Sequence, residues 1–172
     1  MINTPNEGTN RLRIWQQNMN KSSAAQWTLL NSDGKENNLA KEYDIVMLQE
    51  PYLDHLGNPK ATHAWRMVKP TAVMENGKLK PRAIMLINKR MSTNAWKELD
   101  MKGGGRDVVG IQLVTSMGRM NLINVYNEGT HERTVEFLEE YLGEGEKRKY
   151  RHWWEGISTD TTRCGRPTQT CT

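Results

Sequence analysis

The chain has 172 residues, the size of one ordinary domain, with 36% hydrophobic residues and a net charge of +4. Its longest uninterrupted apolar run, Ala83 to Ile87, is far too short to cross a bilayer, and the polar opening residues predict no signal peptide. Cys164 and Cys171 both lie in the extreme C-terminal stretch, which argues against a disulfide framework or a structural zinc site, while the basic excess is mild enough for an ordinary soluble protein and also compatible with a polyanionic partner.

In chain order, residues 1–10 are polar and predict disorder, because nothing in them offsets the entropy of ordering. Leu12 to Asn18 reads as a strand ending in the polar stretch Asn18-Met19-Asn20. Ser22 or Ser23 then offers an N-cap for a helix on which Ala24, Trp27 and Leu30 recur, stopped by the breakers Asn31 to Gly34. Ile45 to Leu48 is near-continuously apolar, which predicts a strand covered on both faces, and Pro51 ends its ladder soon after Gln49-Glu50. A loop-rich stretch from Tyr52 to Lys80 contains a short strand around Trp65 to Val68, and Ala83 to Ile87 is another buried strand. After the turn at Gly103 to Gly105, Val108 to Val114 and Met120 to Tyr126 read as a hairpin through Ser116-Met117-Gly118. Thr130 caps a predicted helix whose apolar face is Val135, Leu138 and Leu142, and residues 143–172 show neither helical nor strand periodicity.

Polar groups stand at the ends of the apolar strands, where a buried sheet presents them at one rim. They are Asn18 with Asn20, Glu50 after Gln49, and Asn124 with Tyr126. Strand alternation places Asn18 and Asn20 on one side, and likewise Asn124 and Tyr126. Carboxylate and amide oxygens so placed suit a hard ion such as Mg²⁺, which binds through one or two carboxylates and substrate phosphate. Each also has a plainer reading: an Asx turn at Asn18 and Asn20, a solvated strand terminus at Glu50, a half-buried strand aromatic at Tyr126.

Taken together and in order, three segments resemble the first motifs of the endonuclease/exonuclease/phosphatase family. They are Leu-Arg-Ile-Trp-Gln-Gln-Asn-Met-Asn-Lys-Ser, Tyr-Asp-Ile-Val-Met-Leu-Gln-Glu-Pro-Tyr and Met-Asn-Leu-Ile-Asn-Val-Tyr-Asn. The likeness is to the endonuclease domain of fungal non-LTR (LINE-type) retrotransposons, over residues 11–142. It implies a four-layered α/β sandwich and Mg²⁺-dependent hydrolysis of a DNA phosphodiester, in the nucleus if the protein is functional. By the same resemblance Glu50 would be the metal carboxylate, Asn18 would orient groups beside it, Asn20 would take the neighbouring metal-side position, and Tyr126 would contact the scissile phosphate. Lys21 and Arg82 are candidates for the DNA backbone, with a solvated surface charge as the plainer reading of each. The lipid and nucleotide branches of the superfamily share Gln-Glu but not the Gln-Gln-Asn-Met-Asn-Lys-Ser context.

The family's later motifs, Gly-Asp-Phe-Asn and Ser-Asp-His, are absent, and His55, His63, His131 and His152 fit no catalytic position. Residues 11–142 are therefore expected to form an incomplete domain, with the second sheet largely missing, an uncovered apolar face (Ile45, Met47, Ile84, Leu86, Ile111, Leu113), marginal stability and no activity. The alternative is a non-catalytic nucleic-acid-binding remnant. With permissive codons, residues 153–165 read one base earlier spell Leu/Val-Val-Gly-Gly-Asp-Phe-Asn-Arg-His-His-Pro-Met-Trp, so residues 143–172 are expected to be a frame-shifted tail, the frame lost between Leu142 and His152.

Overall fold

A computed structural model describes residues 11–31, 39–116, 118–129, 132–146 and 151–154. The expectations for residues 1–10, the breakers Ser32 to Gly34, Thr130, Cys164 and Cys171 lie outside them. Among the described residues, eight strands form two four-stranded sheets. The first has the order β1 (Ile14–Asn18), β2 (Ile45–Gln49), β4 (Ala83–Asn88), β3 (Trp65–Val68), with β1 parallel to β2 and the other pairs antiparallel. The second runs β5 (Trp96–Glu98), β6 (Val108–Thr115), β7 (Gly118–Val125), β8 (Arg151–Trp154), with β7 and β8 parallel.

Alternation along β2 and β4 sorts their side chains between two cores, which is why every residue of both strands is buried. Ile45, Met47, Met85 and Ile87 face the other sheet and meet Val109, Ile111, Leu113 and Leu122. Val46, Leu48, Ile84 and Leu86 face outward and are covered by Leu30 of α1 (Ser23–Leu30) and Leu39 of α2 (Leu39–Glu42). On the far side of the second sheet, α4 (Arg133–Glu146) lays Leu138, Phe137 and Tyr141 over Val108, Ile123 and Val125. The layers are thus helix, sheet, sheet, helix, as the sandwich reading expected; a short α3 (Thr71–Glu75) lies on the β3–β4 connection.

Several expectations are corrected. The second sheet is not largely missing: four strands cover the inner face of the first, and all six residues expected to be bare are buried, with Ile84 and Leu86 turned to the helices. Residues 143–172 are not featureless, since α4 runs on to Glu146 and Arg151–Trp154 pairs with β7 in the register Met120↔Arg151 to Ile123↔Trp154. A four-residue strand whose ladder is supplied by a distant neighbour leaves no local period to read. The apolar face of α4 is Phe137, Leu138 and Tyr141, whereas Val135 is exposed. On α1 the buried residues are Gln26 and Leu30, with Ser22 as the N-cap, while Trp27 points out of the core and is 70% exposed.

Because both sheets share one core, the chain is expected to unfold in a single cooperative transition rather than to behave as a molten assembly. Calorimetric and van't Hoff enthalpies should agree; a calorimetric enthalpy well above the van't Hoff value would mean that the sheets melt separately.

Candidate active site

The ends of β1, β2 and β7 and the segments entering β4 and β6 converge on one rim of the sandwich. Glu50 follows β2 directly. Its backbone N–H donates to the Arg82 carbonyl at 2.7 Å, and its own carbonyl accepts from Lys21 N–H at 2.9 Å, so the turn after β1 and the approach to β4 clamp it from two sides. Asn20 (φ 45°), Lys21 (φ 57°) and Glu50 (φ 43°) are the non-glycine residues with left-handed backbone among those described. Each such residue costs about 1 kcal/mol, and three gathered just past the neighbouring ends of β1 and β2 concentrate backbone strain at this rim.

The Glu50 side chain is 13% exposed and faces into a cleft of about 410 Å³. Its Oε1 accepts from the Tyr126 hydroxyl at 2.9 Å and lies 3.5 Å from Lys21 Nζ. The solvated-terminus reading of Glu50 therefore does not hold. Lys80 and Arg106 complete the basic wall with Lys21 and Arg82, and Glu128 is the second carboxylate of the lining. The cleft thus sets four cationic side chains beside one carboxylate clasped by a phenol, an electrostatic setting that attracts anions.

Arg82 is a buried tie, not the solvated charge that sequence allows. It is 9% exposed; its guanidinium donates to Glu128 Oε2 at 2.6 Å, pairs with Asp107 Oδ1 at 3.4 Å, and sits 4.4 Å from the centre of the Tyr126 ring. Burial alone would lower the guanidinium pKa, but the Glu128 hydrogen bond, the Tyr126 contact and the Asp107 charge together raise it above its ordinary value. Its backbone joins the sheets as well, accepting from Glu50 N–H and donating to the Arg106 carbonyl at 2.9 Å.

The sequence-predicted residues fall into two groups. Glu50 and Tyr126 are brought into contact, across 76 positions of sequence. Asn18 ends β1 opposite Gln49, and its Oδ1 accepts from Asn20 N–H at 2.8 Å, so the pair forms an Asx-type turn. Asn20 lies beyond the strand in left-handed backbone, so the alternation argument that set it beside Asn18 does not reach it. Asn124 does share the inward face with Tyr126, but it is a bridge between sheets: fully buried, it donates from Nδ2 to the carbonyls of Leu48 at 3.0 Å and Ile84 at 2.9 Å. Gln49 reaches back the other way, donating to the Val125 carbonyl at 2.5 Å. His55 and His63 are exposed and line no part of the cleft.

Sequence reasoning missed Asp107, Glu128, Arg106 and Lys80. Their only local signal is position, each standing just before or after a buried strand, and that signal is shared by many solvated charges. Among the described residues no three His, Cys, Asp or Glu side chains cluster as metal ligands. The carboxylates lining the cleft are those of Glu50 and Glu128, while Asn18 ends the neighbouring strand with its amide oxygen accepting from Asn20 N–H.

No protein-family model and no curated protein matches the chain. Among solved structures it is similar to the "Endonuclease domain of TRAS1, a telomere-specific non-LTR retrotransposon", with 16% identity and a TM-score of 0.53 over 80% of this chain and 53% of that one. The chain thus spans about half the length of that domain. At this identity the likeness establishes the two-sheet sandwich fold.

Proposed function

We propose that the chain carries the metal- and phosphate-holding part of a Mg²⁺-dependent DNA endonuclease site of the retrotransposon type. The observation that carries this reading is the Glu50 carboxylate, held at the ends of two parallel strands by Tyr126 and facing a cleft lined by Lys21, Lys80, Arg82 and Arg106. Glu50 would hold the ion, with Asn18 beside it. Bound there, Mg²⁺ supplies charge to polarise a phosphoryl oxygen and offset the charge developing on it. The chain's own groups do the rest: Lys21 and Arg106 attract and orient the backbone, and the Tyr126 hydroxyl, steadied under Arg82, can donate to a phosphate oxygen in place of Glu50. Asn20 would fix the turn that aims Lys21.

What these residues do not include is a free base to activate water, since neither His55 nor His63, the histidines with described side chains, lines the cleft, and Glu128 there is tied to Arg82. The chain is therefore expected to bind DNA in a Mg²⁺-assisted way and to hydrolyse it slowly or not at all, because general-base catalysis contributes about 10²–10⁴-fold and the second ligand more. Supporting the frame reading, a Gly-Asp-Phe-Asn restored in the neighbouring frame would begin at position 156, two past the end of β8, which runs parallel to β7 toward the Tyr126 rim. Codons for residues 153–165 that cannot spell that motif would end the frame reading.

The test is plasmid nicking and DNA binding with Mg²⁺ or with EDTA, for the wild type and Glu50→Gln. Binding by the wild type should tighten with Mg²⁺ and that of Glu50→Gln should not, with nicking near background in both. Nicking by the wild type alone would establish catalysis and remove the claim of inactivity. Binding indifferent to Mg²⁺ in both proteins would favour the non-catalytic nucleic-acid-binding reading, for which the cation wall alone suffices.

A further inference from the structure

Beside the basic cleft lies a second, largely apolar groove of about 470 Å³, lined by Ser23, Gln26, Trp27, Leu30, Tyr52 and Thr62 among others. Its volume is within the range of small-ligand sites. The wall is built rather than accidental. Gln26, 3% exposed, donates from Nε2 to the Lys60 carbonyl at 2.7 Å and accepts at Oε1 from Tyr52 N–H at 2.8 Å. One buried amide thereby fixes α1 to both ends of the loop that follows Glu50.

Trp27 is the unexplained part of that wall. It adjoins Gln26 on α1, yet it is 70% exposed and contributes to no core cluster of the described residues. An indole left in water on a rigid helix offers a flat π-face at little entropic cost to a planar ligand. The groove also shares Tyr52 with the basic cleft, and Tyr52 stands two positions after Glu50. An anion whose phosphate sits among Lys21, Lys80 and Arg106 can therefore extend an attached planar group past Tyr52 into the groove. Ser23, Asn31 and Thr62 supply polar atoms for the edge of such a group.

We infer that this groove is a nucleobase subsite, in which Trp27 stacks on an unpaired base of the strand whose phosphate occupies the basic cleft. The inference rests on the DNA reading above and deepens it. A paired base has both faces covered within its own stack, so the occupant is a base of single-stranded DNA, where aromatic stacking is sequence-tolerant.

The test uses fluorescence anisotropy with the whole chain, comparing a thymidine oligonucleotide, a wholly abasic oligonucleotide of the same length and a duplex, for wild type, Trp27→Ala and Trp27→Phe. Trp27→Ala should weaken thymidine-oligonucleotide binding about tenfold, the order expected for one stacked base. Its salt slope should be unchanged, since stacking releases no counterions. Trp27→Phe should restore most of the affinity, and the abasic oligonucleotide should bind all three proteins alike. The exposed position predicts unchanged melting for both variants. Thymidine-oligonucleotide binding by Trp27→Ala equal to wild type would overturn the subsite and leave the DNA reading standing, as would equal weakening on duplex and single strand. Failure of the wild type to bind any of the three would overturn the DNA reading, and the subsite with it.

Discussion

Replacing Asn124 by Asp is expected to destabilise the fold by about 4 kcal/mol at neutral pH, the cost typical of an unpaired buried charge. The substitution changes almost no volume, so the effect is electrostatic. In the native chain the Asn124 amide sits fully buried between the sheets and donates to two main-chain carbonyls, of Leu48 on β2 and Ile84 on β4. An ionised carboxylate there would present oxygen to oxygen at both contacts, with no donor to offset its lost hydration. Asn124→Ala removes the same two hydrogen bonds without adding charge, and should cost about 2–3 kcal/mol from lost bonds and packing. The difference between the two variants isolates the charge.

The sign of the pH dependence follows. Burial and the two carbonyls would raise the folded-state pKa of the introduced carboxyl above its ordinary value, while its unfolded value stays near the usual aspartate figure of about 3.9. The folded state then binds more protons across that interval, so the variant's stability falls as pH rises from the ordinary carboxylate range to the raised folded pKa. Below that range the protonated carboxyl can donate to one carbonyl, and the variant should approach Asn124→Ala. Urea titrations at pH 4 and pH 7 check this. Equal stability loss at both pH values would mean that the charge escapes to water, and that the bridge is not buried in solution.

What could be read in the sequence was what has a local period or a strand-end position. β2 and β4 are legible because both faces are covered, which turns alternation into unbroken apolar runs such as Ile45 to Leu48. Glu50 and Tyr126 are legible as polar residues closing such runs, and the fold does bring them together. The turn that moves Asn20 off the strand face is legible as the Asx turn the Asn18-Met19-Asn20 stretch offers, whereas the left-handed backbone of Lys21 and Glu50 is not, because neither residue type announces positive φ as glycine would. Helical spacing groups Trp27 with Ala24 and Leu30, but α1 buries Gln26 with Leu30 instead, since an amide can satisfy Lys60 and Tyr52 main chain at once. For Arg82 the sequence offers a contact to DNA backbone or a solvated surface charge, and neither reading reaches the buried ion pair. Its partners Asp107 and Glu128 stand 25 and 46 positions away, and no pattern within a segment encodes that pairing.

Arg82→Met is expected to cost about 2–4 kcal/mol and to blunt the Mg²⁺ response of DNA binding. Truncating one partner of a buried pair ordinarily costs about 3–5 kcal/mol because the other charge stays desolvated. Here Glu128 is partly exposed at 41% and can rehydrate, which lowers the figure; Asp107, at 14%, cannot. The methionine keeps the apolar stem but leaves Tyr126 without the cation over its ring, so the phenol that hydrogen-bonds Glu50 loses its rest. Arg82→Lys keeps charge but cannot serve Glu128, Asp107 and the ring at once, and should recover less than half of the loss. Because Asp107 is the partner that cannot rehydrate, adding Asp107→Asn to Arg82→Met should cost less than the sum of the single changes, by about 1–2 kcal/mol. Additive losses in that cycle would mean that the cation–carboxylate pair does not hold the rim together. A lost Mg²⁺ response with unchanged melting would instead place Arg82 on the substrate side of the cleft.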